Sequence, residues 1–174
     1  MVERRVILAG LAAAAPAQAS ALGDFTLPRL EGGPLPLREF AGRVVLVVNT
    51  ASFCGYTPQY TGLQRLHDRF EARGLTVLGV PSNDFQQEST SNQAIREFCD
   101  GMFGITFPMA ALSHVRGPRA VPLYQWLALA AGGPPRWNFH KYLVARDGVQ
   151  VRAFSTHVEP GSVQMLRAVE AALG

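Results

Sequence analysis

The chain has 174 residues, 48% of them hydrophobic and 17% charged, with a formal net charge of +3. That is enough apolar material for one packed domain and too much for a disordered chain, and two cysteines exclude a disulfide-dense scaffold. Lys141 is the only lysine, and the arginines are scattered without a cluster, so a nucleic-acid partner has no support.

In chain order, residues 1–19 read as an export signal. Arg4 and Arg5 give a positive start, Val6 to Ala15 an apolar run, and Pro16 a break. Ala17-Gln18-Ala19 gives a small-x-small cleavage site, with a second candidate cut after Ala21. The apolar run is too short for a comfortable membrane span, so no membrane anchoring is expected. The route is Sec or, given the Arg4-Arg5 pair, twin-arginine, and the expected destination is a bacterial periplasm. Residues 20–174 then form a single domain.

Phe25 to Leu27 and Leu35 to Leu37 flank a Gly-Gly-Pro turn and predict a hairpin. The β-branched run Val44 to Val48 fits a strand buried on both faces. Thr57-Pro58 reads as the cap and first residue of a helix carrying Tyr60, Leu63, Leu66 and Phe70 inward, with Gly74 as its stop. Leu75 to Val80 is a second buried strand. Thr90 and Gln93 form a capping-box pattern for a helix whose apolar face is Ile95, Phe98, Cys99, Met102 and Phe103. Pro122 opens a third helix with Leu123, Trp126 and Leu127 inward. Phe139 to Ala145 and Val149 to Phe154 predict two strands around Asp147-Gly148, and Ser162 caps a last helix carrying Val163, Leu166 and Val169. This order predicts an α/β fold, a mixed sheet covered by helices on both faces.

Cys54 stands out within Asn49-Thr50-Ala51-Ser52-Phe53-Cys54-Gly55-Tyr56-Thr57-Pro58. It follows a central strand and precedes a helix start. Sites of open α/β sheets gather at strand carboxyl ends, and a helix amino terminus favours a thiolate. A buried, inert cysteine is the alternative, since cysteine is among the most buried residue types. The small polar neighbours Ser52, Gly55 and Thr57 suit a site better than a core.

The segment Val47 to Thr57 resembles the active-site motif of the glutathione peroxidase family. Three further stretches match in order. Gly79-Val80-Pro81-Ser82-Asn83-Asp84-Phe85-Gln86-Gln87-Glu88 is similar to G-F-P-C-N-Q-F-G-x-Q-E. Glu97 to Pro108 is similar to the family's second-cysteine segment, and Trp137-Asn138-Phe139-His140-Lys141-Tyr142-Leu143 to W-N-F-x-K-F-L. The resemblance covers nearly all of the chain after residue 19 and implies a thioredoxin fold with the predicted amino-terminal hairpin. It implies a peroxidase acting on hydrogen peroxide or organic hydroperoxides through Cys54, with Gln87, Trp137 and Asn138 as catalytic partners. Amide and indole N–H groups donate hydrogen bonds without adding a competing charge, which suits stabilisation of the departing oxygen.

Cys99 matches the resolving cysteine of the thioredoxin-dependent branch, which implies a Cys54–Cys99 disulfide reduced by a thioredoxin-like protein, with glutathione as the other candidate reductant. On the apolar face of its helix Cys99 could equally be packed, and a permanent Cys54–Cys99 bridge is a further alternative for an exported chain. The segment before the glutamine is one residue shorter than the family pattern, so Gln86 rivals Gln87. Asp84 stands for a glutamine and Ser82 for a cysteine. The loop before Trp137 is short, which points to a monomer. Lys141 could meet an acidic group of the reductant, though on a strand it more often faces solvent. The four histidines show no metal-ligand spacing with the cysteines and no glycine-rich phosphate loop follows a strand, so neither metal nor cofactor is expected. A second reading of the cysteines is a non-catalytic redox sensor that passes its disulfide to a partner.

Overall fold

The computed structural model describes residues 21–174; the export segment lies outside them, apart from the second cut site after Ala21. The predicted hairpin is present as β1 (Thr26–Pro28) and β2 (Pro34–Pro36), paired antiparallel. The main sheet contains β3 (Val44–Thr50), β4 (Leu75–Pro81), β5 (Lys141–Val144) and β6 (Val151–Phe154) in the order β4-β3-β5-β6. β3 runs parallel to β4 and antiparallel to β5, which runs antiparallel to β6. Four helices cover it: α1 (Gln59–Phe70), α2 (Asn92–Phe103), α3 (Pro122–Ala131) and α4 (Val163–Leu173). This mixed, two-faced sheet is the thioredoxin fold.

Both central strands are buried along their whole length. Their alternate side chains feed two cores. Val44, Leu46 and Val48 pack with Tyr60, Leu63, Ile95, Met165 and Val169 from α1, α2 and α4. Val45 and Val47 pack with Leu35, Leu123, Tyr124 and Leu127 from the hairpin side and α3. Burial on both faces is why the sequence here is continuously β-branched rather than alternating.

Several local expectations are corrected. Thr57 does not cap α1: its Oγ1 donates to Ala51 O (2.9 Å) and accepts from Cys54 N (3.0 Å), and Pro58 takes the cap position. α2 is capped by Ser91, whose Oγ accepts from Ala94 N (3.3 Å), not by Thr90. Met102 and Val163, expected inward, are exposed. Lys141, expected at the surface, is fully buried, with its ammonium donating to Phe139 O at 2.7 Å. Gly74 ends the first helical segment with φ +103°, as expected of a left-handed stop. Gly79 is needed for space instead: a β-carbon there would overlap the Met109 sulfur, where residues 108–110 hydrogen-bond across β4.

Candidate active site

The carboxyl ends of β3 and β4 and the turn entering β5 converge on Cys54. The loop after β3 is tightened by the two Thr57 bonds, which fold residues 51–57 back so that Tyr56 N donates to Cys54 Sγ at 3.4 Å. Gly55 is exposed beside a cysteine that is itself 8% exposed, so the sulfur sits just beneath the surface.

Gln87 reaches this loop through its own backbone, as Phe53 N donates to Gln87 O at 3.0 Å. Its side-chain Oε1 accepts from Asn138 Nδ2 at 2.8 Å. The amide Nε2 thus remains as a donor. The rival Gln86 is exposed and adopts φ +59°. It therefore serves as the pivot of the shortened turn, and the family pattern has a glycine near this point. Asp84 anchors the same turn: its carboxylate contacts His114 Nδ1 (2.6 Å) and accepts from Val115 N (2.7 Å) and Arg116 N (3.2 Å). Those bonds to the carboxylate hold its pKa below the ordinary range although burial pushes the other way.

Asn138 is fully buried, and its carbonyl accepts from Thr156 Oγ1 at 2.7 Å. Trp137 is 40% exposed, with its ring 5.2 Å from that of Phe85. Asn49, at the end of β3, splints this turn to the sheet. Its Nδ2 donates to Trp137 O (3.0 Å) and its carbonyl accepts from Phe139 N (2.6 Å). Asn49, Asp84 and the buried Lys141 also brace these loops and were not singled out for that from sequence, whereas Thr57 was noted there as a small polar neighbour of Cys54. Asn49 lies within the first motif and Lys141 within the last, and that membership was the signal for them.

A cavity of about 540 Å³ opens beside Trp137, lined by Tyr56, Arg136, His140, Thr156 and His157. The Tyr56 hydroxyl bonds His157 Nδ1 at 2.8 Å. His140 has its pKa lowered to about 4 by burial first and then by Lys141 and Arg136, so its imidazole is neutral near pH 7. Cys99 lies in the second-to-last turn of α2, buried against the Tyr60 side of the core, and both cysteines are free thiols. A permanent bridge is therefore not present. Burial pushes the Cys99 thiol up to about 11, offset in part by the neighbouring Tyr60 hydroxyl.

Residues 22–128 match the family model described as glutathione peroxidase. The chain belongs to the glutathione peroxidase family. It is 43% identical over 150 residues to the hydroperoxy fatty acid reductase gpx1 of Synechocystis sp., covering 80% of this chain and 89% of that protein. It is 43% identical over 135 residues to the glutathione peroxidase-like peroxiredoxin gpx1 of Schizosaccharomyces pombe, covering 75% and 85%. Among solved structures, that of Trgpx in apo form superposes with a TM-score of 0.73 at 31% identity, covering 90% of this chain and 97% of that one. A thioredoxin-family thiol:disulfide interchange protein from Chlorobium tepidum superposes at 0.69 with 16% identity and shares the fold. The chain is thus a peroxidase-class oxidoreductase on a thioredoxin fold.

Proposed function

We propose that this peroxidase reduces hydroperoxides by a two-cysteine cycle. The Cys54 thiolate attacks the outer peroxide oxygen, the O–O bond breaks, and the alcohol or water leaves after taking up a proton. Cys54 is left as a sulfenic acid. Gln87 Nε2, the Trp137 indole and Asn138 act as neutral donors around the reacting sulfur and the departing oxygen. The observation that carries this reading is the Gln87–Asn138 amide pair, held at 2.8 Å and fastened to the Cys54 loop through Phe53 N. Amides locked to one another keep their donors aimed without reorganising during the reaction.

Cys99 then condenses with the sulfenic acid, and a thioredoxin-like dithiol reduces the disulfide. This requires the carboxyl-terminal turns of α2 to open, because Cys99 is 1% exposed. Gly101 within α2 makes those turns weaker than alanine would, whereas Gly104, expected to do the same, is a left-handed cap at φ +59° that suits the helix end. The reductant assignment draws on the relatives named peroxiredoxins. The cavity beside Trp137 and the relatives named hydroperoxy fatty acid reductases support organic hydroperoxides as substrates beside hydrogen peroxide. The export reading of residues 1–19 places the reaction in the periplasm, and the short loop before Trp137 favours a monomer.

One equivalent of peroxide followed by intact-mass analysis tests the cycle. The wild type loses about two mass units as a disulfide, and Cys99→Ser gains about sixteen as a sulfenic acid. A wild type that also stops at sulfenic acid makes Cys99 a packed core residue. Absence of multiple turnovers with a dithiol donor would instead favour the sensor reading.

A further inference from the structure

The cavity of about 540 Å³ beside Trp137 is far larger than the peroxide step needs. A hydroperoxide group is two oxygens, and a water molecule fills only about 30 Å³. The cavity is predominantly apolar, with Tyr56, Trp137 and His140 among its walls. Two of these residues also belong to the surroundings of the sulfur. Tyr56 lines the cavity and donates its backbone N–H to Cys54 Sγ at 3.4 Å, and Trp137 is the candidate indole donor. A small molecule seated here touches residues that reach the reacting thiol. None of the walls comes from α2, so the cavity stands whether or not the end of that helix opens.

The walls are tied in place. Tyr56 Oη and His157 Nδ1 are bonded at 2.8 Å, which joins the Cys54 loop to the segment after β6. The segment before β5 is held twice: Gly133 O accepts from Tyr142 Oη at 2.7 Å, and Trp137 O accepts from Asn49 Nδ2 at 3.0 Å. Arg136 lies between those two ties. It is exposed, lines the cavity and makes no ion pair among the described residues. A guanidinium keeps its charge at every working pH. Among the described residues, no acidic side chain lines the cavity. An apolar cavity with one preset cation suits a ligand with an apolar body and one anionic group, and the planar fork of arginine matches a carboxylate.

We propose that this cavity holds the apolar body of organic hydroperoxides that also carry a carboxylate, with Arg136 pairing with the carboxylate while the peroxide group lies at Cys54. The inference rests on the peroxide reaction at Cys54 proposed above and adds the part of the substrate that the sulfur does not touch. Arg136 is a specificity residue: it binds the far end of the substrate and takes no part in breaking the O–O bond. Tyr56 and Trp137 form the wall between the two ends. Hydrogen peroxide has neither an apolar body nor a carboxylate, so its reaction does not draw on the cavity.

The test is the second-order rate constant of Cys54 oxidation, measured by stopped flow on the reduced protein. The probes are hydrogen peroxide, cumene hydroperoxide and cumene hydroperoxide bearing a para-carboxylate. The wild type should favour the carboxylated probe over its parent by at least about five-fold, and the preference should shrink as salt is raised. Arg136→Gln should remove that preference and leave the rates with the other two probes within about two-fold of the wild type. Arg136→Lys should keep part of it. Ser155 is an exposed residue of the cavity wall. Ser155→Trp, which fills the cavity, should slow both organic probes by at least about ten-fold and spare hydrogen peroxide. Equal rates for the two cumene probes in the wild type overturn the proposal, as does an Arg136→Gln variant that slows all three probes alike. Organic rates unmoved by Ser155→Trp overturn it too. An Arg136→Gln variant slowed only in its reduction by glutathione puts a carboxylated thiol at Arg136 instead of the hydroperoxide. A wild type inert to hydrogen peroxide overturns the reading of Cys54 itself, a result seen before any variant is made.

Discussion

Replacing Lys141 by methionine should make this peroxidase more stable at pH 7 and erase a pH dependence that the native chain carries. Lys141 is completely buried and donates one hydrogen bond, to Phe139 O. Burial pushes its pKa down to about 7, with Glu159 acting weakly in the opposite sense. An unfolded lysine titrates near about 10.4. Between these two values the unfolded chain holds a proton that the folded chain lacks, so stability rises with pH across that window and levels off above it. By that linkage, the group returns about 2 kcal/mol to the native state between pH 7 and pH 9. Methionine fills a similar volume and cannot titrate, so the stability advantage of Lys141→Met should shrink by about 2 kcal/mol over the same interval. Urea unfolding of both proteins at pH 7, 8 and 9, under reducing conditions, gives the difference directly. Parallel profiles for the two proteins would refute the reasoning. The substitution also removes the bond behind the Trp137–Asn138 turn, so peroxidase rate should fall while stability rises.

Gln87→Ala should slow Cys54 oxidation in stopped-flow peroxide reactions by the equivalent of about 1–3 kcal/mol, one lost donor, and Gln86→Ala should not. Gln86→Gly should instead raise the unfolding free energy by about 1 kcal/mol, because a left-handed residue without a side chain relieves the φ +59° conformation. Gly79→Ala should lower thermal stability by about 1–3 kcal/mol through overlap with Met109, and combining it with Met109→Ala should recover part of the loss. After expression of the full chain the protein should appear in the periplasmic fraction and begin at Ser20 by terminal mass analysis; recovery only in the cytoplasmic fraction with Met1 retained would refute export.

The architecture was largely legible in the sequence because its signals are local. A β-branched run buried on both faces, helical spacing and glycine stops each speak for a single element. The candidate cysteine, glutamine, tryptophan and asparagine were proposed from ordered motifs, and the structure joins the Gln87 and Asn138 side chains and ties Gln87 to the loop of Cys54. Less legible was anything decided by a distant neighbour. Thr57 has the chemistry of a helix cap, but the Ala51 carbonyl and Cys54 amide claim its hydroxyl. Lys141 carries a charge that normally marks a surface, and only the Phe139 carbonyl beneath it shows why it is buried. Met102 has the helical spacing of a core residue, yet it lies on the solvent side of α2 while Cys99 and Phe103 face the core.

The Asn49 splint ties the site to the order in which the chain acquires its structure. Asn49 and Trp137 are 88 positions apart, and their bond forms only when β5 has paired with β3. Contacts of such long sequence separation are slow to close, since a large loop must be ordered before they contribute. A nascent chain with only its first half compact would carry the Cys54 loop without the Trp137–Asn138 turn fastened to β3. The side of the candidate site that carries Trp137 and Asn138 is therefore completed only with the last strands of the sheet.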